Sequence, residues 1–263
     1  MPNRAELAGV RVLVTRPAHQ AAGLCELIQQ HGGEALRVPA LLIRDLSQDL
    51  ALGHTLDRLA DFQLLIFISP NAVQLGLAAI NARGGLPEHI TLATVGEGSA
   101  RALRQALGRG PDLVPAEHFD SEGLLALPAL QRLAGQKVCI LRGEGGRTLL
   151  AETLQARGAE LTQLRLYRRE QAPSPPDLDL TLQNTDIITT TSVEVLECLY
   201  GLTPPALRPA LLRKPLVVVS ERSVAVAREL GFDQAVWLAK RAADQAILEV
   251  LMEWASKREQ RHE

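Results

Sequence analysis

Short apolar runs alternate with amphipathic stretches along most of the chain. The apolar run at 10–14 is followed by helical spacing at 24–31, which stops at two glycines. A similar run at 137–141 is followed by helical spacing at 149–157, which again stops at a glycine. Runs of this length are typical of buried strands, and apolar residues three or four positions apart are typical of helices that pack on one face. The pattern therefore predicts parallel sheets flanked by helices.

The two halves of the chain repeat this pattern in the same order. The apolar runs at 64–68 and 186–190 both lead into small hydroxyl residues, and the turn at 96–99 matches the turn at 220–223 at a constant offset of 124 residues. Each repeat is predicted to finish with a strand and a helix, the strands at 112–115 and 235–238 and the helices at 121–130 and 244–257. The chain is therefore predicted to be an α/β protein with two doubly wound parallel-sheet domains.

The clearest linker in the chain is the proline-rich stretch at 170–176. It lies inside the second repeat and not between the repeats, near 133–135. Two organisations fit the repeat: one domain for each repeat, or two domains that exchange elements. The position of the linker favours exchange.

Composition limits the possible functions. The chain has 28 Lys and Arg residues against 30 Asp and Glu, a formal charge of −2, and 3% aromatic residues. Such a chain has neither the positive field nor the stacking residues that nucleic acids require, so we expect no nucleic-acid partner. No apolar run approaches the ~20 residues of a membrane span, and the beginning of the chain lacks the apolar stretch of a signal peptide. We therefore expect a cytoplasmic protein without a membrane partner.

Cysteine and histidine spacing predicts neither disulfides nor a metal site. Cys25, Cys139 and Cys198 are odd in number, widely spaced and set among apolar residues. The six histidines show none of the close spacings that converge on one ion. We expect no metal and no other cofactor.

Candidate ligand-binding residues lie in the turns that follow the predicted strands. At the carboxyl ends of parallel strands, helix N-termini present unpaired N–H groups to anions. The candidates are the small, glycine and arginine residues of these turns: Thr15, Arg16, Ser69, Asn71, Gly96, Ser99, Arg142, Gly143, Gly146, Arg147, Thr191, Ser192, Ser220 and Ser223. Six such turns would suit a ligand with many carboxylates or phosphates.

Each turn also has a simpler interpretation, because hydroxyl, amide and glycine residues are needed there to cap helices. Taken singly, the serine, threonine and asparagine candidates are explained by capping, and only the set of six turns favours a ligand. Arg16, Arg142 and Arg147 differ, because capping does not require an arginine and a guanidinium can fork onto a carboxylate.

The glycine-rich turns do not match nucleotide-binding motifs. The turn at 143–147 lacks the Lys-Ser/Thr pair of a phosphate loop, and Thr148 and Arg101 stand where dinucleotide fingerprints need a final glycine.

Tyr167, one of two tyrosines, is a candidate proton donor at the end of an alternating strand. Its alternative role is to pack one edge of that strand with its hydroxyl in water.

Several stretches, in this order and spacing, resemble the uroporphyrinogen-III synthase family over nearly the full length of the chain. They are Val14-Thr15-Arg16-Pro17, 67–73, Val95-Gly96 with Ser99-Ala100, 121–124, 141–143 with 146–147, Leu166-Tyr167 and Thr191-Ser192. The turn at 220–223 departs from the family, which usually has a glycine and a threonine there.

The resemblance implies two α/β domains joined by a two-stranded β-ladder. Applied to this sequence, the first domain comprises 1–36 and 172–263, the second comprises 40–165, and the ladder comprises 37–39 and 166–171.

The resemblance also implies an enzyme that cyclises hydroxymethylbilane, a linear tetrapyrrole with eight carboxylates. The reaction loses water and inverts the last pyrrole ring. Tyr167 stands at the position of the family's candidate for assisting departure of the hydroxyl group. The enzyme is expected to be a monomer whose partner is this small molecule.

Two other classes of protein share parts of this pattern. A two-lobed cytoplasmic protein that binds small molecules has similar α/β lobes, and a nucleotide-dependent transferase is disfavoured by the broken glycine motifs. Conversion of hydroxymethylbilane distinguishes the synthase from both.

Overall fold

The computed structural model describes residues 6–260, in which strands alternate with helices. The strands are β1 (Arg11–Val14), β2 (Glu34–Arg37), β3 (Leu41–Asp45), β4 (Leu64–Phe67), β5 (Thr91–Thr94), β6 (Lys137–Gly143), β7 (Glu160–Gln171), β8 (Ile187–Thr189), β9 (Leu216–Val218) and β10 (Val236–Leu238). The helices are α1 (Ala22–Gln30), α2 (Leu50–Asp57), α3 (Pro70–Asn81), α4 (Glu97–Leu107), α5 (Ser121–Ala126), α6 (Leu149–Ala156), α7 (Leu178–Asn184), α8 (Val193–Leu202), α9 (Arg208–Leu212), α10 (Glu221–Leu230) and α11 (Asp244–Glu259).

The first compact unit combines the segment up to Leu42 with the segment from Glu170 onward. Its sheet has the strand order β10-β9-β8-β1-β2, and these strands run parallel. β1 lies inside the sheet, where Val12 is in register with Ala35 of β2 and with Ile187 of β8. The sheet therefore joins β1 and β2 of the first repeat to strands of the second.

The second compact unit is Ile43–Arg169. Its sheet has the order β3-β7-β6-β4-β5, and β7, β6, β4 and β5 run parallel. Here β4 and β5 belong to the first repeat, whereas β6 and β7 belong to the second. The predicted α/β fold with an exchanged βα unit is thus confirmed.

The second sheet is apolar on both faces. Leu65 and Phe67 of β4 belong to one buried cluster, and Leu64 and Ile66 belong to another. Alternate residues of a strand point to opposite faces, so this strand is covered by helices on both sides. None of the described helices is long and apolar enough to cross a bilayer.

The two units are connected through β3 and β7, which are neighbours in one sheet. The Leu46 N–H donates to the Leu166 carbonyl at 2.8 Å, and the Ala172 N–H donates to the Ala40 carbonyl at 3.0 Å. As residue numbers rise from 40 to 46 in the first segment, those of the paired residues fall from 172 to 166. The two segments therefore form an antiparallel ladder.

The ladder begins later in the chain than the sequence predicts. The predicted first segment, 37–39, instead completes the parallel pairing of β2, since Val38 donates to the Val14 carbonyl at 3.1 Å. The chain passes from the first compact unit to the second between Leu42 and Ile43, and it returns between Arg169 and Glu170. The predicted outer limits at residues 1 and 263 lie outside the described residues.

Two predicted elements near the end of the first repeat are wrong. Residues 112–115, all of which are described, form a single parallel bridge between Leu113 and Ala93 in place of a strand. The predicted helix at 121–130 ends at Ala126, and a short 3-10 turn follows at 128–130. Pro128 explains this end, because proline disfavours helical geometry in the residue before it.

Candidate functional site

Three turns meet at the carboxyl edge of the second unit's sheet, after β4, β5 and β6. Ser69 begins the turn after β4, and its Oγ caps α3 by accepting the Ala72 N–H at 3.1 Å. Gly96 caps α4 after β5, and Ser99 in the first turn of that helix is buried. Asn71 is also buried at the start of α3. Capping accounts for Ser69, as one interpretation of the sequence predicts.

Tyr167 of β7 reaches this edge and contacts the capped helix. Its side chain is buried, and its hydroxyl lies 2.9 Å from Ser69 Oγ. Either hydroxyl can be the donor in this contact, and when Ser69 donates its proton to the phenol oxygen the phenol proton of Tyr167 stays available. The hydroxyl of Tyr167 therefore has a protein partner at the helix terminus.

A bulge in the pairing of β6 with β7 places Tyr167 there. Arg142 is opposite Arg165, but the next residue, Gly143, is opposite Tyr167. The extra residue, Leu166, re-aims the strand, which is the usual effect of a bulge. A Cβ on Gly143 would lie 2.5 Å from Cε2 and 2.6 Å from Cζ of the Tyr167 ring. Glycine is thus required for the ring to occupy this position.

Arg142 organises the glycine-rich turn after β6. Its side chain is buried and donates to the carbonyls of Gly143 at 3.3 Å, of Gly145, and of Arg147 at 3.4 Å. A further bond joins it to Gln163 Oε1 at 3.1 Å. Burial lowers the pKa of Arg142. The side chain stays a cation, because the ordinary pKa of arginine is far above neutral pH. The donors of this guanidinium are therefore used to shape the turn.

Arg147, in contrast, is exposed at the rim of the turn. It forms an ion pair with Glu122 of α5, with one N–O distance of 3.1 Å. The hydrogen bond from Arg147 holds the pKa of Glu122 below its ordinary value. A ligand carboxylate would have to displace Glu122 in order to bind this guanidinium.

The turns enclose a cavity of about 230 Å³ within the second unit. Ser69, Arg142, Gly143, Gly146, Arg147 and Tyr167 line it, so the structure brings six of the predicted residues together. Ser121 and Arg169 also line it and were missed as site residues. The signal for Arg169 was present, because a residue two positions after Tyr167 in a strand has the same facing.

The first unit carries corresponding turns at the carboxyl edge of its own sheet. Thr15 follows β1, and its hydroxyl donates to the Thr189 carbonyl at 2.7 Å. Arg16 is buried and forms an ion pair with Asp244 at the beginning of α11. Both predicted residues are therefore engaged with protein groups at this edge.

The turns after β8 and β9 lie beside them, because β8 pairs with both β1 and β9. Ser192, which follows Thr191, caps α8 by accepting the Val195 N–H at 3.1 Å. Ser220 caps α10 and bonds to the buried Ser223 hydroxyl at 2.8 Å. Glu221, in the turn that departs from the family pattern, is exposed.

Each unit therefore has a switch point, between β1 and β8 or between β4 and β6, where the order of connections along the sheet reverses. Hydroxyls, helix N-termini and a buried arginine gather there. Among the described residues, no His, Cys, Asp or Glu side chains form a group of three that could hold a metal ion. The fold and these edges define an α/β protein of the class that binds small ligands at the carboxyl ends of its strands.

Comparison with known proteins specifies this class further. The family model for uroporphyrinogen-III synthase HemD matches residues 23–249. The chain therefore belongs to the uroporphyrinogen-III synthase family, as its sequence motifs predict.

Relatives of nearly equal length agree with this assignment. The chain is 33% identical over 248 residues to uroporphyrinogen-III synthase of Escherichia coli (strain K12), which covers 91% of this chain and 99% of that protein. The identity to the Salmonella typhimurium enzyme is 35% over 246 residues, with the same coverage of both chains.

Solved structures agree on the fold. A mutant uroporphyrinogen III synthase from Thermus thermophilus superposes with a TM-score of 0.59 at 22% identity, covering 95% of this chain and 99% of that one. The Helicobacter pylori enzyme gives a TM-score of 0.58 at 15% identity, covering 93% of this chain and 99% of that one.

Proposed function

We propose that this chain is a lyase that cyclises hydroxymethylbilane to uroporphyrinogen III, with loss of water. The observation that carries the proposal is its family membership over residues 23–249, together with 33% to 35% identity to synthases along nearly their whole length. Tyr167, held at a carboxyl edge by Ser69, supplies the group that the chemistry requires.

The reaction has two physical demands. The hydroxyl group must leave to give an azafulvene cation, and the substituted carbon of the terminal pyrrole must attack that cation first to form a spiro intermediate. Spontaneous closure gives the isomer without inversion, so the conformation of the bound chain decides the product. The enzyme therefore needs many fixed contacts and few acid–base groups.

The polar turns supply fixed contacts of the kind that hold a bound chain in one conformation. The substrate has eight carboxylates along its length, and helix N-termini attract negative charge. The turns that contain Thr15, Ser69, Gly96, Thr191 and Ser220 each begin with a residue at the end of a strand or at a helix cap. We infer that the N–H groups and hydroxyls of these turns bind carboxylates of the substrate.

Tyr167 meets the demand of hydroxyl departure. When Ser69 donates in the 2.9 Å contact, it orients the phenol oxygen, and the phenol proton of Tyr167 can be donated to the leaving hydroxyl. Arg142 keeps the adjacent turn in shape through its bonds to backbone carbonyls and acts as a positioning residue.

We also propose that the two compact units are the two domains of a cytoplasmic monomer. The near-zero net charge and the few aromatic residues support a small-molecule partner over a nucleic acid or a membrane surface.

The test is to mix the protein with freshly generated hydroxymethylbilane, to oxidise the products and to separate the isomers by chromatography. The proposal expects closure faster than in buffer and an excess of the type III isomer. Type I product at the spontaneous rate would contradict it. A thermal shift with ATP or NAD in that case would support a nucleotide-dependent transferase.

A further inference from the structure

A second cavity lies in the first unit, at the opposite edge of its sheet from the candidate turns. Its volume is about 400 Å³, which is in the range of small-molecule sites. It is formed where three neighbouring strands begin, since Asp186 precedes β8, Pro215 precedes β9 and Ala235 precedes β10. The last turns of α11 complete it with Trp254, which is buried. We call it the amino-edge cavity.

The described lining of the amino-edge cavity is strongly basic. It contains four cations, Arg213, Lys214, Lys257 and Arg258, against one carboxylate, Asp186. The carboxylate is already used, because its Oδ1 pairs with Arg258 at 3.1 Å and its Oδ2 accepts the backbone N–H of Arg11 at 2.9 Å. An excess of positive charge therefore remains in a concave site.

Arg213 differs from the other three cations of the described lining, because its side chain has no partner. It is exposed at the end of α9, and its side chain forms no hydrogen bond or ion pair with any residue between 6 and 260. Lys214, by comparison, donates to the Thr185 carbonyl at 2.6 Å, and Lys257 pairs with Glu253. A guanidinium without a protein partner, beside a cavity, is free to fork onto an anion.

The aromatic content of this cavity is the second observation. The chain has two tryptophans, and both line it. The Lys257 ammonium lies 4.8 Å from the centre of the Trp237 ring, and the Arg258 guanidinium lies 5.4 Å from that of Trp254. These contacts hold cations over flat aromatic faces, where a planar ligand can replace or join them.

The indole N–H of Trp237 points to a missing acceptor. Nε1 is buried and has no hydrogen-bond partner among the described residues. A buried donor without an acceptor destabilises a fold, so such groups call for an explanation. An acceptor atom of a bound ligand that reached Nε1 would satisfy this donor.

We infer that the amino-edge cavity is a binding site for a small planar aromatic anion. The ring stacks against Trp237, and the acid group binds Arg213 and Lys214. A cavity of about 400 Å³ has room for one or two rings with their acid groups. The site is separate from the candidate turns, which lie at the carboxyl ends of the same strands.

The test uses tryptophan fluorescence of the full chain, because every tryptophan lies in this cavity. The probe is isophthalate, a flat ring with two carboxylates. Succinate supplies two carboxylates without a ring, and benzamide supplies a ring without charge. We expect a saturable change in fluorescence with isophthalate and none with succinate or benzamide at the same concentrations. The absence of a saturable change with isophthalate, or an equal response to either control, overturns the proposal.

Two variants locate the binding. Arg213→Gln should weaken the affinity for isophthalate about tenfold, because it removes a charge-assisted contact. Trp237→Phe should weaken it several-fold, because it keeps a flat ring but removes the N–H donor. Arg132→Gln is the matched control, since Arg132 is exposed in the second unit and has no described partner. Equal affinity of Arg213→Gln and Arg132→Gln overturns the site.

These binding measurements do not depend on ring closure. Arg213 lies at the amino edge, away from the candidate turns, so Arg213→Gln should close hydroxymethylbilane at the rate of the unaltered chain. A parallel loss of closure and isophthalate binding in this variant overturns the separation of the two sites.

Discussion

The two units use an arginine near the carboxyl end of a strand at the switch point in different ways. In the first unit, Arg16 pairs with the carboxylate of Asp244 at the beginning of α11. In the second, Arg142 donates to the backbone carbonyls of its own turn. The repeated βα pattern places an arginine at the same end of both sheets. The neighbouring residues determine whether it pairs with a helix or bonds to its own turn.

The strand beside each arginine differs as well. β2 of the first unit has four residues, whereas its counterpart β7 has twelve and contains a bulge. The additional length carries Tyr167 to the edge of the sheet, where the first unit has no tyrosine. The longer strand therefore places a candidate acid in the second unit, whereas both units have candidate turns.

The largest difference in stability between the units should follow removal of the two arginines. Arg142→Met removes a buried guanidinium that donates to three carbonyls of its turn and to Gln163, and should lower the free energy of unfolding by about 3 kcal/mol. Arg16→Met should cost about 1 kcal/mol, because the Asp244 side chain is one-third exposed and regains water. Urea unfolding of both variants measures this, and a larger cost for Arg16→Met would contradict the comparison.

Gly143→Ala tests the close approach of the Tyr167 ring to Gly143 in the second unit. The new Cβ would overlap the Tyr167 ring, so we expect a loss of about 2 kcal/mol in stability and slower ring closure. Gly98→Ala is the control in the same unit, because a Cβ there meets Pro70 Cγ at an ordinary 3.5 Å. Equal stability of the two variants would show that the Tyr167 ring is not fixed by Gly143.

The two capping serines should differ by the contact with tyrosine. Ser69→Ala and Ser192→Ala each remove a helix cap worth about 1 kcal/mol. Ser69→Ala also removes the partner of Tyr167, so a double-mutant cycle of Ser69→Ala with Tyr167→Phe should give a coupling of about 0.5 to 1 kcal/mol. Thermal unfolding provides the values, and a coupling of zero would remove this bond from the account.

The smallest effect should come from the exposed ion pair of Arg147 with Glu122. Arg147 lowers the pKa of Glu122, so the pair stabilises the fold above the unfolded-state pKa, and this stabilisation is lost as pH falls through the folded-state pKa. Glu122→Gln should therefore be slightly less stable than the unaltered chain at neutral pH and equally stable in acid. Glu117→Gln, at an exposed residue without a described ion pair, is the control. A difference that grows in acid would reverse the sign of this argument.

The arrangement of strands and the exchanged repeat could be predicted from the sequence, because both depend on local patterns. Buried strands such as β4 carry apolar residues on both faces, and glycines end α4 and α10 at φ values of 70° and 95°. The bounds of the ladder could not be predicted in this way. Val38 continues the pairing of β2 with β1 and does not join the ladder. Which of these partners a residue takes depends on tertiary context.

The turns of the candidate site could also be predicted, but not the partners of their side chains. Asp244, which binds Arg16, lies more than 200 residues further along the chain. The bulge that places Tyr167 opposite Gly143 leaves no mark in the spacing of apolar residues. The strand predicted at 112–115 shows the opposite error, since a short apolar run formed only one bridge.

The most direct test of the central claim is the rate of ring closure by Tyr167→Phe. This variant keeps the packed ring and loses the hydroxyl, so we expect a folded protein, a rate of closure about 100-fold lower and an unchanged excess of the type III isomer. Tyr200→Phe, at the other tyrosine, should close hydroxymethylbilane at the normal rate. A Tyr167→Phe protein that is as fast as the unaltered chain would contradict the role of this hydroxyl.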